Sequence, residues 1–184
     1  MNVYDFDETI YDGDCTRDFV FYCVKRYPNV LVVLPKVTVF GLRYLFKNIT
    51  KTVFKENLYS FLKHVPNIET VCDTFVLKNK HKIKKWYLEQ QREDDLIISA
   101  SPEFLIGRFC KEVGINHYMA SKVNIFNGKY EGENCYGEEK VRRYDEVYKR
   151  GEIEQFYSDS YSDDPLAKLA KESYLVQGNQ IKGW

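Results

Sequence analysis

"NVYDFDETI", residues 2–10, places two carboxylates one residue apart directly behind an apolar run, with a threonine two places further on. The apolar residues predict a short strand over 1–5 that ends at Asp5. Two like charges at the end of a strand repel, so the chain has a use for them or a counter-charge nearby. The reading of everything downstream depends on which residues join them.

Composition sets the bounds. A chain of 184 residues is one ordinary domain, or one domain with a modest insertion. Its hydrophobic fraction of 44% and aromatic fraction of 16% are enough to build a buried core. The 27 basic and 27 acidic residues cancel, so no global charge argues for nucleic acid or a membrane surface. Cys15, Cys23, Cys72, Cys110 and Cys135 include no CxxC pair, which reads as reduced thiols rather than a disulfide framework or zinc site. The first residues carry acids where an export signal carries positive charge and an apolar stretch, so a cytoplasmic protein is expected.

The middle of the chain reads as helical from about Thr16 to residue 78. Thr16 is taken as the N-cap of a helix through "RDFVFYCVKRY", with Pro28 just beyond it. Phe54, Leu58, Phe61 and Leu62 share a face at helical spacing. Pro66 and Asn67 punctuate before a stretch holding Val71, Phe75 and Val76. Residues 29–46, "NVLVVLPKVTVFGLRYLF", are apolar but interrupted by Pro35, Lys36, Gly41 and Arg43, too short and too charged to span a bilayer. They read as buried or partly buried helices, with contact to lipid or a greasy substrate as the sharper alternative. The basic run 78–94 reads as one helix with a solvated charged face.

After residue 79, strand and helix signals alternate. "DLIISAS" precedes a helix through "EFLIGRFCKEVG"; "EIEQFYSDS" precedes "PLAKLAKE"; "SYLVQG" reads as a final strand; and Asn127-Gly128 signals a hairpin turn. Alternation of this kind predicts an α/β fold with a Rossmann-like, doubly wound parallel sheet. Polar residues then gather where strands end: Asp5 and Asp7, Ser99 and Ser101, and Asp159, Asp163 and Asp164. In such a sheet the C-terminal strand ends share one edge, where ligands bind. Acids collected there call for a hard divalent cation, and Mg²⁺ is the usual choice beside phosphates. The bland alternatives are acidic turns after strands and Ser99 as a helix cap ahead of Pro102.

Taken in order, "VYDFDET", "LIIS", a lysine in "CYGEEKV" and "FYSDSYSDD" resemble the four motifs of the haloacid-dehalogenase superfamily of phosphotransferases. The long helical insertion after the first motif, with "ISASPEF" and "GEEKVRRY", is similar to its phosphoserine-phosphatase-like branch. The resemblance implies a core of residues 1–13 and 79–184 and an inserted α-helical cap over 14–78. It implies a Mg²⁺-dependent phosphomonoester hydrolase acting on a small phosphorylated substrate through an aspartyl-phosphate. Asp5 would be the nucleophile and Asp7 the general acid and base. Ser99 and Lys140 would bind phosphate, with Lys122 and Lys129 as alternatives to Lys140. Thr9 and Ala100 would support the site. Asp5, Asp7, Asp159 and Asp163 would serve the metal, and Asp14 and Arg43 would select the substrate. A phospholipid-type substrate, with peripheral lipid contact, stays open, because the cap is greasier than a small amino-acid substrate requires. A phosphate-sensing, receiver-like domain is the non-catalytic alternative, and the long helical insertion fits it poorly.

Overall fold

The computed structural model describes residues Met1–Trp184. Six strands form one sheet in the order β3-β2-β1-β4-β5-β6. They are β1 (Asn2–Tyr4), β2 (Leu96–Pro102), β3 (His117–Ser121), β4 (Gln155–Ser158), β5 (Glu172–Gln177) and β6 (Gln180–Gly183). The first five run parallel and β6 returns antiparallel against β5. From central β1 the chain builds outward to β2 and β3, then crosses to β4 and β5 on the other side. The order of winding therefore reverses between β1 and β4, where a crevice opens at the carboxyl ends.

Strand alternation explains how both faces are covered. Tyr4, Ile97, Tyr157 and Val176 belong to one buried cluster, together with Phe19, Phe75, Tyr87 and Phe109. These come from α1 (Cys15–Arg26), α4 (Ile68–Asn79), α5 (Lys85–Gln90) and α6 (Glu103–Val113). Val3, Leu96, Ile98 and Phe156 face the opposite way, against Val141 and Tyr144 of α7 (Glu138–Val147) and Leu166 of α8 (Asp164–Ala167). Two more helices, α2 (Leu34–Leu45) and α3 (Lys51–Tyr59), complete the insertion between β1 and β2.

Local details depart from the expectations in instructive ways. The N-cap of α1 is Asp14, not Thr16: its extended backbone lets the carboxylate accept from Arg17 N at 2.8 Å. The basic run is not one helix. Ile83 bridges to Tyr11, Lys84 N donates to Ile10 O at 2.8 Å, and Asp12 N donates to Lys82 O at 2.8 Å. Pairing with the 10–12 loop thus overrides local helix propensity, and the run's face is not wholly solvated. Lys84 is buried, and its ammonium donates to Glu8 O and Gly178 O at 2.6 and 2.7 Å. The strand over 172–177 is followed by one more, β6, whose four residues are all exposed. The Asn127-Gly128 turn closes an isolated antiparallel bridge between Val123 and Tyr130. Gly128 has φ +74°, and a Cβ there would stand 2.4 Å from Tyr59 O, so the turn presses on the end of α3.

Candidate active site

A cavity of about 700 Å³ opens at the β1–β4 crevice, lined by residues from both sheet edge and inserted helices. Asp5, Asp7, Lys140, Asp159 and Asp163 all line it. Local structure at the first strand explains the DxD spacing. Asp5 continues the strand, its N–H donating to Tyr157 O at 2.9 Å. Phe6, between the two acids, is fully buried and packs on Tyr11 and Phe109. One apolar residue anchors the loop while its two neighbours present carboxylates to the cavity.

The two acids have different surroundings. Asp5 Oδ1 accepts from Lys140 Nζ at 2.7 Å, and the same ammonium donates to Asp163 Oδ2 at 2.6 Å. Burial raises the Asp5 carboxyl above its ordinary range, opposed by Lys140 and reinforced by Asp163. The two carboxylates outweigh burial at Lys140 and hold it above the usual lysine range. Asp7 instead accepts from Cys15 N at 2.6 Å and from the Ser101 hydroxyl at 2.5 Å. Burial, then the charge of Asp14, pushes Asp7 up to about 6 despite those bonds. An acid poised there can both hold and release a proton near neutral pH.

The fourth-motif loop is tied to the first. Thr9 Oγ1 accepts from Asp159 N at 2.9 Å, across 150 residues of sequence. Burial and Asp163 raise the Asp159 carboxyl. Ser158 Oγ donates to Asp163 Oδ2 at 2.8 Å, whereas Asp163 Oδ1 is buried with no partner.

That orphaned oxygen bears on the cation. Asp5, Asp7, Asp159 and Asp163 bring carboxylate oxygens to this edge, the hard ligands that Mg²⁺ takes. No three acidic side chains stand as a closed metal cage. Mg²⁺ does not ask for one, because it keeps several waters and uses one or two carboxylates beside substrate oxygens. Asp5, Asp159 and the backbone carbonyl of Asp7 would hold it, with Asp163 supporting.

The remaining sequence candidates separate. Among the three lysines, Lys140 alone lines the cavity; Lys129 pairs with Glu56 at 3.2 Å, and Lys122 lines a different surface depression. Ser99 is buried behind the cavity wall, its hydroxyl accepting from Ser101 N at 3.0 Å. Ala100 and Ser101 form the wall instead. Asp14 lines the cavity as well as capping α1. Arg43 does not line it; it is exposed on α2, 5.4 Å from the Phe40 ring centre.

One cavity residue expected at a strand end was given no role, and another was not anticipated. Ser101 is among the polar residues at the end of the second strand, but the phosphate role was given to Ser99, and the register shift of β2 between Ser99 and Pro102 leaves Ser101 at the cavity. Lys55, on α3, donates to Ala100 O at 3.1 Å and to Asn134 Oδ1 at 3.2 Å. Burial, then the neighbouring charge of Lys51, lowers it to about 8. In the sequence Lys55 is one cation among many.

Known proteins share this chain's sequence pattern and fold. A protein of Mycobacterium tuberculosis named "Probable phosphatase" is 30% identical over 105 residues, half of this chain and 37% of its own length. This chain therefore corresponds to well under half of that relative. A Bordetella pertussis protein of unknown function superposes with a TM-score of 0.71 at 18% identity, covering 94% of this chain and 87% of that one. A phosphoserine phosphatase solved as a phospho-aspartyl intermediate analogue gives 0.52 at 16% identity, covering 93% and 82%, and shares the fold. The model of the haloacid dehalogenase-like hydrolases matches residues 3–168, from the first strand through the last acidic loop, and the chain belongs to that family.

Proposed function

We propose that this chain is a Mg²⁺-dependent phosphomonoester hydrolase acting on a small phosphorylated substrate through an aspartyl-phosphate on Asp5. The observation that carries the reading is the buried ammonium of Lys140 between Asp5 and Asp163, at the edge of a cavity large enough for a metabolite. The named phosphatase relative and the phospho-aspartyl analogue in a fold neighbour support it.

The Asp5 carboxylate attacks phosphorus in line as the ester P–O bond breaks, and Asp7 delivers its proton to the leaving alkoxide. Asp7, now ionised, takes a proton from water, whose oxygen attacks phosphorus and releases phosphate and Asp5. Lys140 offsets negative charge on the phosphoryl oxygens and on Asp5. Ala100 and Ser101, which line the cavity, would face the phosphoryl oxygens, and Ser99 holds that turn through Ser101 N. Mg²⁺, when bound, shields the phosphate's charge from the attacking carboxylate. The helices over 14–78 act as the cap, excluding water and contacting the leaving group.

Asp14, Arg17, Lys51 and Lys55 give the cap side of the cavity both signs of charge. Phe21, Tyr44, Phe54 and Leu58 line it too, which favours a phospholipid-type ester as the second reading. All five cysteines are buried and unpaired, in keeping with a cytoplasmic protein. No helix is long and apolar enough to cross a membrane.

A phosphate-release screen over sugar phosphates, phosphoserine, nucleotides and lysophospholipids tests the reading, with p-nitrophenyl phosphate as a generic ester. Turnover is expected with Mg²⁺ and is expected to stop on chelation with EDTA. Asp5→Asn is expected to abolish turnover with an unchanged circular dichroism spectrum. Substantial activity in that variant overturns the nucleophile assignment, and hydrolysis indifferent to EDTA overturns the metal.

A further inference from the structure

Between Asp18 and Glu56 the chain carries no acidic residue, while Lys25, Arg26, Lys36, Arg43, Lys47, Lys51 and Lys55 all fall there. A chain of zero net charge therefore concentrates positive charge in one segment and leaves the rest net acidic. Helix α2 lies in the middle of that segment, and none of its residues is buried.

The helix is apolar nearly all round. Val37, Phe40, Gly41 and Tyr44 are half-buried on its inner side. At 100° per residue, Leu34, Thr38, Leu42 and Leu45 share the outward face, flanked by Val39 and Phe46. Leu42 is 51% exposed, Leu45 74% and Phe46 73%. The Thr38 hydroxyl is satisfied within the helix by Leu34 O at 3.0 Å, so even that residue presents little polarity. Leu31 and Val32, in the 3₁₀ turn Pro28–Val33 just before, are also exposed. Lys36 and Arg43 edge the apolar face, both within 6 Å of the Phe40 ring centre (5.8 and 5.4 Å). A helix apolar on all sides belongs in a core, and contiguous exposed apolar side chains rimmed by polar ones mark an interaction surface.

We propose that the outward face of α2, with the 3₁₀ turn before it, docks on an anionic membrane surface. The apolar side chains enter the boundary between headgroups and acyl chains, and the surrounding lysines and arginines meet the lipids' negative charge. Charge complementarity selects this occupant over a second copy of the chain. A two-fold interface through α2 would set the same acid-free basic segment against itself. Because Tyr44, Lys51, Phe54 and Lys55 of this segment also line the cavity, docking brings its wall to the membrane. The inference is independent of the phosphatase reading, because it rests on the exposed apolar face of α2 and the turn before it and on the basic segment around them.

Flotation of the full chain with vesicles tests it, comparing phosphatidylcholine alone with an equal mixture of phosphatidylcholine and phosphatidylglycerol. The protein is expected to float with the anionic vesicles and not with the neutral ones, and to be released by high salt. Leu42→Gln with Phe46→Gln, and separately Lys36→Gln with Lys47→Gln, are each expected to weaken binding about tenfold. Thermal unfolding and the hydrolysis of soluble p-nitrophenyl phosphate are expected to stay as in the parent chain. Absence of binding to anionic vesicles at low salt overturns the proposal, as does equal binding by parent and variants. A concentration-dependent dimer that Leu42→Gln with Phe46→Gln dissolves also overturns it, by assigning the face to a second copy. Loss of hydrolysis in the parent would instead strike the phosphatase reading and leave the vesicle result standing.

Discussion

Lys140 and Asp163 form a buried ion pair with Nζ 2.6 Å from Oδ2, and the same ammonium reaches Asp5 at 2.7 Å. One cation thus serves two carboxylates that lie 158 positions apart in the chain. Without it, the two buried acids would face each other with no counter-charge between them.

Lys140→Met removes that cation while keeping most of its volume. Breaking a buried pair by deleting one partner costs about 3–5 kcal/mol, because the remaining charges stay uncompensated. Here the lower end is expected, since burial already favours the neutral form of Asp5. The loss is expected to shrink as pH falls, because protonated acids no longer repel. Urea unfolding at neutral and acid pH checks both statements. Phosphate release is expected to be abolished at either pH.

The turn after β2 supports a second prediction. Ser101 donates to Asp7 and is joined at 2.9 Å to the hydroxyl of Thr16, so the end of β2 and the start of α1 meet at this serine. A hydrogen bond to an ionised group contributes about 1.5–3 kcal/mol. Ser101→Ala is expected to lower kcat roughly tenfold or more with little change in KM, because the bond orients the proton-transferring acid rather than the substrate. Steady-state kinetics on p-nitrophenyl phosphate separates the two parameters. A rise in KM alone would place Ser101 on the substrate instead.

The contrast between Ser99 and Ser101 shows how far the sequence was legible. Apolar strands followed by acids were readable because burial forces a short continuous apolar run, and the crevice edge collects the polar residues at the end of each run. Asp5, Asp7, Asp159 and Asp163 were found that way. Which serine of "SAS" faces the cavity depends on where β2 shifts register against β3, between Ser99 and Pro102, and no local pattern announces that shift. Strands β3 and β6 were missed because they sit at the two edges of the sheet, with exposed residues and no apolar run. The basic run broke at Ile83 because a distant loop pairs with it, which helical periodicity cannot foresee. Arg43 was given to substrate selection on the family resemblance, and the turn of α2 carries it outward.

Gly128 gives a prediction about stability. Alanine there would hold a left-handed backbone, costing about 1–2 kcal/mol, and its Cβ would meet the Tyr59 carbonyl at 2.4 Å. Backbone cannot swing aside like a side chain, so overpacking adds about 1–3 kcal/mol. Gly128→Ala is expected to destabilise the chain by about 2–5 kcal/mol in urea unfolding. Because Tyr59 lines the cavity, activity of the folded fraction is expected to fall as well. Asn127→Gly, one residue earlier, is expected to cost far less.

Lys55 links the cap to the chemistry through pH. Its ammonium is held by Ala100 O and Asn134 Oδ1, both neutral acceptors, while burial and Lys51 lower its pKa to about 8. The positive charge is therefore present below about pH 8 and is lost as pH rises through that value. If it meets an anionic leaving group, KM for a phosphomonoester carrying a second negative charge is expected to rise above pH 8. KM for p-nitrophenyl phosphate, whose leaving group carries no second charge, is expected to change less. Lys55→Arg keeps its charge to much higher pH, so its KM is expected to stay low across the same range. Lys55→Met is expected to raise KM below pH 8, to about the value the parent reaches above it. Lys51→Met removes the like charge beside Lys55, and the inflection is expected to move to higher pH. A KM that crosses pH 8 without inflection, in the parent and in Lys51→Met alike, would show that Lys55 holds the Ala100 turn and does not touch the leaving group.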